Sequence, residues 1–145
     1  MKINNNRSGC PISTTLDIFG DRWTLIIVRD IFLGRTTFSD FLSSPEKIAS
    51  NILRDRLKKL MFFEIIKFNI DPYDKKIKRY YLTDKGIDLF PILHHMNGWS
   101  TKHLEFELLP LAAEFNEKIK GKPEKQVIKE VASSYREKRE KIIIK

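Results

Sequence analysis

Residues 48–63, IASNILRDRLKKLMFF, combine an apolar pattern with side chains that can bind a polyanion. Asn51 can form paired hydrogen bonds with the edge of an adenine, and Arg54 can do the same with a guanine. Lys58 is suited to a phosphate, because its ammonium group is a compact point charge. The three residues are three and four positions apart, so a helix would present them on one face.

The apolar residues of this stretch indicate which side of the helix is buried. At about 100° per residue, Ala49, Leu53, Leu57 and Leu60 lie along one stripe. The three candidate side chains and Asp55 lie on the opposite arc. A charged, solvated face is the commoner explanation of such a helix taken alone, so the neighbouring elements must decide between the two interpretations.

Those neighbouring elements form a recognisable order. The pattern predicts helices over 11–19, 22–33 and 38–42, a helix within 48–61, β-strands over 64–70 and 77–83, and helical segments from residue 86 to about 115 and after residue 123. Gly20 is expected to end the first helix in a left-handed conformation, and Asp21 and Thr37 to cap the next two. This order predicts a winged helix-turn-helix, a mainly α fold with a small β-hairpin (α+β) and flanking dimerisation helices.

Five further residues could meet a nucleic acid in such a fold. Thr36 and Thr37 could offer hydroxyl and amide donors to a phosphate at the start of the short helix. Ser50 could cap the cationic helix or contact the DNA backbone. Lys75 and Lys76 lie at the tip of the predicted hairpin, where a wing would reach a minor groove or a phosphate.

The net charge of +8 is concentrated in two segments. Residues 47–79 hold ten Lys and Arg against four acids, and residues 117–145 hold ten against five. Such a cationic field predicts a polyanionic partner, either nucleic acid or an anionic lipid surface. We expect a winged-helix domain with dimerisation helices over 8–116 and a basic, helical extension over 117–145. A second interpretation is a non-sequence-specific nucleic-acid or anionic-surface binder driven by this basic tail.

Several classes of protein are disfavoured by the sequence. No apolar run approaches the roughly 20 residues of a membrane-spanning helix, and no secretory signal is seen, which predicts a cytoplasmic protein without a membrane partner. His94, His95 and His103 lack the cysteine or carboxylate partners of a familiar metal site. There is no phosphate-binding loop, dinucleotide fingerprint or nucleophile elbow. We therefore expect neither an enzyme nor a resident metal or cofactor.

Several stretches together resemble one family of transcriptional regulators. They are Cys10-Pro11, LDIFGDRWTLIIVRDIFLG (16–34), Phe38-Ser39, Phe41-Leu42, IASNILRDRL (48–57), YYLTDKG (80–86), LFPIL (89–93) and Trp99. They resemble the HxlR-type regulators over roughly residues 10–105. The resemblance implies a dimeric winged-helix protein that binds double-stranded DNA. In it, residues 48–61 would enter the major groove, 71–77 would form the wing, and helices near both termini would form the dimer interface.

Two positions depart from the family pattern. The family often has a serine where this chain has Ala49, so Ser50 is expected to take over the capping. It also commonly has a glycine at the turn into the hairpin, where this chain has Phe63. The second change bears on the local turn and not on the fold.

Four apolar residues are candidates for a dimer interface. Leu89, Leu93, Met96 and Trp99 have roughly helical spacing and exceed what a three-helix core should need. A two-fold dimer would double the number of base pairs that a small domain contacts. The alternative is that these residues complete the core of the monomer. The sequence does not show which of them belong to the core and which to an interface.

Cys10 is the one cysteine and a candidate redox sensor. In several regulators that the chain resembles, a cysteine at this position senses oxidants or electrophiles. A reactive thiol needs thiolate character, which a helix N-terminus and a nearby cation such as Arg7 could supply. The alternative is a buried, small apolar residue. An oxidant or another small molecule is therefore a candidate effector.

Overall fold

Helices surround a single β-hairpin in the part of the chain that the computed structural model describes, residues 1–3 and 7–143. The elements are α1 (Pro11–Phe19), α2 (Thr24–Phe32), α3 (Phe38–Leu42), α4 (Ser50–Phe62), β1 (Ile66–Ile70), β2 (Lys78–Leu82), α5 (Asp84–Ile87), α6 (Phe90–His103), α7 (Pro110–Ile119) and α8 (Glu124–Ile143). The two strands are antiparallel, with Phe68 opposite Tyr80. The predicted mainly α winged helix-turn-helix with a small hairpin is confirmed.

The core lies between α2, α3, α4 and the inner face of the hairpin. Leu53, Leu57 and Leu60 of α4 are at most 2% exposed, as their spacing predicts. Burial of each such side chain stabilises the fold by about 1.5–3 kcal/mol. Ala49 is exposed instead, because it is the N-cap residue and precedes the first turn of α4. Ile48 takes the buried position at this end of the helix.

Side chains cap three of the helices. Thr37 accepts a hydrogen bond from the Asp40 amide, which confirms it as the N-cap of α3, and Asp40 accepts one from the Thr37 amide, which completes a capping box. Asp21 accepts hydrogen bonds from the amides of Trp23 and Thr24, so α2 begins at Thr24 and not at residue 22. Thr83 caps α5 by accepting from the Gly86 amide.

Two local predictions need correction, and the turn into the hairpin has a geometry of its own. Gly20 has φ −79° and is not left-handed; a Cβ there would lie 2.4 Å from the carbonyl oxygen of Leu16, so close approach explains the glycine. Ser50 is the first residue of α4 and does not cap it, since the cap position is occupied by Ala49. At the turn into the hairpin, Glu64 adopts the left-handed conformation with φ 59°, and Phe63 remains at φ −84°.

An extended stretch separates the helical segments predicted from residue 86 to about 115. α6 ends at His103, Leu104 is extended, and α7 begins at Pro110. α7 therefore crosses the division predicted between residues 116 and 117. α8 packs on the core, where Val127 and Tyr135 are at most 4% exposed. The Tyr135 hydroxyl accepts a hydrogen bond from the Leu82 amide at 2.8 Å, which ties α8 to the outer edge of β2.

Candidate nucleic-acid interface

The outward face of α4 carries the three side chains predicted to bind DNA. Asn51, Arg54 and Lys58 are exposed, on the side of the helix opposite the buried leucines. The Arg54 guanidinium lies 5.7 Å from the centroid of the Phe38 ring, where a cation is attracted by the electron-rich ring face. Base contacts by these residues remain a prediction, but their exposure leaves all three accessible to a major groove.

An ion pair fixes α4 against the start of α2. Arg56 of α4 donates its Nε–H to Asp21 Oδ2 at 2.8 Å. Burial acts to raise the pKa of Asp21, but hydrogen bonds from Thr24, Arg56 and the Trp23 amide outweigh it and hold that pKa well below its usual range. The carboxylate that caps α2 therefore also anchors α4.

A second network fixes the turn that leads into α4. Arg29 of α2 donates to both carboxylate oxygens of Glu46, at 2.6 and 2.8 Å, and also to buried Asp30. The hydrogen bond from Arg29 lowers the pKa of Glu46 to about 2, against the opposing effect of burial and with a further contribution from Ser44. Arg35 donates to Asp30 at 3.0 Å, so the buried carboxylate has two cationic partners.

The wing loop is closed by Asp71. Its Oδ1 accepts hydrogen bonds from the amides of Tyr73 and Asp74 at 2.8 and 2.9 Å, and its Oδ2 pairs with Arg79. The hydrogen bond from the Tyr73 amide, followed by that from Arg79, lowers the pKa of Asp71. Lys75 and Lys76 are exposed beyond this turn, at the tip predicted for a wing.

The structure corrects the predicted role of the Thr36 and Thr37 amides. Both amides donate to Asp40 Oδ2, at 2.9 and 3.0 Å, and so do not offer hydrogen bonds to a phosphate. The Thr36 hydroxyl accepts from Arg79, and the Thr37 hydroxyl accepts from the Asp40 amide. Each hydroxyl can still donate its own hydrogen, so a phosphate contact through the hydroxyls remains a prediction.

An open groove joins α4 to the wing. It has a volume of about 580 Å³, with an apolar floor that includes Phe38, Leu42 and Met61. Its cationic lining residues come from α4 and the hairpin: Arg54, Lys58, Lys76 and Lys78. The fold thus brings the predicted helix and wing cations to one side of the domain.

The four dimer candidates divide into two pairs. Leu89 and Leu93 are partly buried and pack against the core. Met96 and Trp99 are 53% and 61% exposed on α6. The structure also exposes an apolar set that the sequence interpretation missed: Ile12, Leu16, Leu104, Phe106, Leu109 and Leu111. The apolar residues of 104–109 were missed because this stretch was predicted to be helical, whereas Leu104 is extended and α7 begins at Pro110.

Cys10 lies at the N-cap of α1 and is exposed. The alternative of a buried, small apolar residue therefore does not hold within this chain. Arg7 binds Asp17 of α1 through an N–O contact of 2.7 Å, so its charge is paired with a carboxylate of that helix. The helix that follows Cys10 has no buried residue, so this end of the chain lies on the surface and the thiol is exposed to solvent.

The described residues contain no cluster of three or more His, Cys, Asp or Glu side chains with the geometry of a metal site. His95 Nε2 lies 2.7 Å from Glu124 Oε1, which links α6 to the first turn of α8. Within the same described residues, no helix combines the length and hydrophobicity needed to cross a bilayer.

Comparison with known proteins identifies the family. Residues 18–107 match the model of the HxlR-like helix-turn-helix. This chain is a member of the HxlR family. The HTH-type transcriptional regulator YvaP of Bacillus subtilis (strain 168) is 30% identical to it over 102 residues, which span 70% of this chain and 94% of YvaP. The chain is therefore a transcriptional regulator of the HxlR type, as its motifs predicted.

Solved structures of regulators share the fold of this HxlR-type protein. The reduced form of the transcriptional regulator YodB from B. subtilis is 28% identical, with a TM-score of 0.56 over 66% of this chain and 95% of YodB. The redox regulator HypR in its oxidised form is 26% identical, with a TM-score of 0.59 over 67% of this chain and all of HypR. The helices α7 and α8 lie outside the matched family segment.

Proposed function

We propose that this HxlR-type regulator binds a specific double-stranded DNA operator as a homodimer and inserts α4 into the major groove. The observation that carries the proposal is the two-sided character of α4. Its leucines are buried while Asn51, Arg54 and Lys58 are exposed. A helix held in this way can present paired donors and acceptors to base edges without reorganising.

The two ion-pair networks support a reading role for α4. Arg56 lies within α4 and binds Asp21, which caps α2. Glu46 lies just before α4 and binds Arg29 of α2. Such anchoring fixes the position and rotation of the helix. A rigid helix is needed because bidentate base contacts discriminate only when their geometry is held closely.

The exposed apolar residues support the homodimer. Ile12 and Leu16 of α1 are 72% and 55% exposed, and Trp99 of α6 is 61% exposed. Large apolar side chains clustered on the surface are typical of protein–protein interfaces. Pairing two domains through the terminal helices would place two copies of α4 on a palindromic operator.

Cys10 supports a regulatory response to oxidants. Its thiol is exposed, and the similar proteins YodB and HypR have been solved in forms named as reduced and oxidised. Since this chain has one cysteine, an oxidant could join two Cys10 residues of different subunits or join Cys10 to a small thiol. Either step removes two electrons and two protons from a pair of thiols and transfers them to the oxidant.

Arg54→Lys is the test of base reading. The substitution keeps the charge but removes the planar fork that matches guanine O6 and N7. Using an operator selected from random DNA by the unmodified protein, we expect specific binding to weaken by about 1–3 kcal/mol. Binding to random duplex and its salt dependence should change little. Fluorescence anisotropy over a salt series measures both.

Two outcomes would contradict the proposal. Failure of random-sequence selection to yield any preferred duplex would remove the sequence-specific function and favour a non-specific polyanion binder. Unchanged operator binding by Arg54→Lys, or equal weakening of operator and random DNA, would show that Arg54 meets a phosphate and not a base. Removal of residues 117–145 is not a useful test, because it would also remove buried Val127 and Tyr135 from the fold.

A further inference from the structure

The carboxyl end of α8 is held beside the wing. The Asn69 side chain on β1 donates from Nδ2 to the carbonyl oxygens of Ile142 and Ile143, at 2.9 and 3.3 Å. These carbonyls belong to the last turn of the helix, where they have no partner within the helix itself. A helix that lies outside the matched family segment is therefore attached to the hairpin near its tip.

The attachment is on the outer face of the hairpin. Ile66, Tyr80 and Leu82 face the core, so alternate residues on the strands face outward. Asn69 is one of these alternate residues and lies opposite Arg79. α8 thus approaches the hairpin from the side away from α4, and its end flanks the wing on the surface opposite the recognition helix.

Two lysines lie on the flank of α8 that faces the wing loop. At about 100° per residue, Lys138 and Lys141 are about 60° and about 120° to one side of buried Tyr135. Lys141 lines a groove of about 190 Å³ together with Pro72 and Tyr73 of the wing loop. This groove places Lys141 beside the wing loop, and the helical spacing places Lys138 one turn earlier on the same flank.

The other flank of α8 is turned towards α5. Arg136 lies about 100° from Tyr135 in the opposite direction. It contacts Asp84 through an N–O distance of 3.6 Å, and Arg139 donates to the same carboxylate at 2.9 Å. The arginines near the end of α8 are thus paired within the fold, whereas Lys138 and Lys141 are exposed on the wing side.

We propose that Lys138 and Lys141 contact the phosphates of the DNA that flanks the wing, so that α8 extends the nucleic-acid surface beyond the shared family fold. The inference rests on the proposed DNA binding by α4 and the wing. Tyr73 of the wing loop, which is 92% exposed, lines the same groove as Lys141. Glu137, one turn before Lys141, is exposed and makes no ion pair with it within the described residues.

DNA backbone is the partner that fits this surface. Lysine ammonium groups bind phosphates as point charges and carry no sequence information. Their position beside the wing tip, and not beside α4, places their contacts on DNA outside the base pairs read by the helix. The contribution is therefore expected in affinity and salt dependence, and not in base preference.

The test compares two double variants of the full chain with the same change in charge. Lys138→Gln with Lys141→Gln removes the wing-side pair. Lys125→Gln with Lys129→Gln removes two exposed lysines from the amino-terminal half of the same helix, on the other flank. Each is titrated with the selected operator carrying long flanks, over about 50 to 200 mM salt.

We expect the slope of log K against log salt to fall in magnitude only for the wing-side pair. The expected decrease is about 0.9 for each phosphate that a lysine no longer neutralises, or about 2 to 4 for the four lysines of a dimer. The same decrease should follow when the unmodified protein binds an operator whose flanks are cut at the edge of the wing site. After that cut, the wing-side substitutions should have no further effect.

An unchanged slope for the wing-side pair would overturn the inference, as would equal decreases for both pairs, which would reflect net charge alone. A flank cut that leaves the slope of the unmodified protein unchanged would also overturn it. All three outcomes leave operator binding itself intact, so they differ from failure of the proposed function, in which no operator is bound.

Thermal unfolding of both variants checks that α8 remains folded, and the flank cut does not depend on any substitution.

Discussion

Arg56 Nε and Asp21 Oδ2 lie 2.8 Å apart and join α4 to the beginning of α2. The same Asp21 oxygen accepts the amide hydrogens of Trp23 and Thr24. One carboxylate therefore caps one helix and fixes the rotation of another. This double role couples the stability of the domain to the position of the residues proposed to read DNA.

Asp21→Ala should lower the free energy of unfolding by about 1–3 kcal/mol, because it removes a helix cap and a partly buried ion pair. Urea unfolding measures the loss. Asp55→Ala is the matched control, since Asp55 also pairs with Arg56 but is 69% exposed, and should cost less than about 1 kcal/mol. Equal effects of the two substitutions would show that the Asp21 network does not stabilise α4.

Glu46→Gln should make the protein less stable at neutral pH but not at low pH. The pKa of Glu46 in the fold is about 2, below the usual value of about 4.3 in an unfolded chain. Its charged form therefore stabilises the fold above about pH 4.3, and this contribution is lost as the pH falls towards 2. Thermal unfolding from pH 7 to pH 2 should show the two proteins converging, and a constant difference would contradict the prediction.

Much of the winged-helix core could be predicted from sequence because its signals are local. The spacing of Leu53, Leu57 and Leu60 gives the buried face of α4, and Thr37 as a cap gives the start of α3. Both signals act within a few residues. Their tertiary environment reinforces them, so the local pattern and the final structure agree.

The remaining features depend on contacts distant in sequence. Nothing near Arg56 indicates that it binds Asp21, 35 residues away, or that Asn69 binds the end of α8, more than 70 residues away. Likewise, the amides of Thr36 and Thr37 were predicted as possible phosphate donors. In the fold both amides donate to the Asp40 carboxylate, and this contact exists only once α3 has formed. Exposed apolar residues after α6 were missed because Leu104 leaves the helix before the next proline.

Tyr135→Phe should destabilise the fold although it preserves the ring. The hydroxyl accepts the amide hydrogen of Leu82 in a buried position, and its loss leaves that donor unsatisfied at a cost of about 1–3 kcal/mol. Burial raises the pKa of Tyr135 to about 12, above the unfolded value of about 10, so the fold retains its preference for the neutral hydroxyl below pH 10 and loses this stability as the pH rises through 12. Denaturant unfolding at neutral pH measures it, with exposed Tyr73→Phe as the control; equal midpoints would contradict the role of α8.

Trp99→Glu should shift the protein towards the monomer. Trp99 is 61% exposed in the single chain, and burying an introduced carboxylate at the centre of an interface should cost at least about 2 kcal/mol of association free energy. Sedimentation velocity over a range of protein concentrations measures the change. Thr101→Glu introduces the same charge on an exposed position of α6 that points away from Trp99, and it should leave association intact. If both substitutions dissociate the dimer equally, or if neither dissociates it, the α6 interface is ruled out.

Cys10→Ser should abolish any effect of a thiol oxidant on operator binding while leaving binding under reducing conditions unchanged. The thiol is exposed and makes no side-chain cap hydrogen bond, so serine fits the position without a change in packing. Anisotropy with and without the oxidant measures binding, and non-reducing electrophoresis separates a disulfide between subunits from a mixed disulfide with a small thiol. The substituted protein retains its methionines, Met1, Met61 and Met96. A response that persists in Cys10→Ser would therefore assign the effect to another oxidisable side chain and remove Cys10 as the sensor.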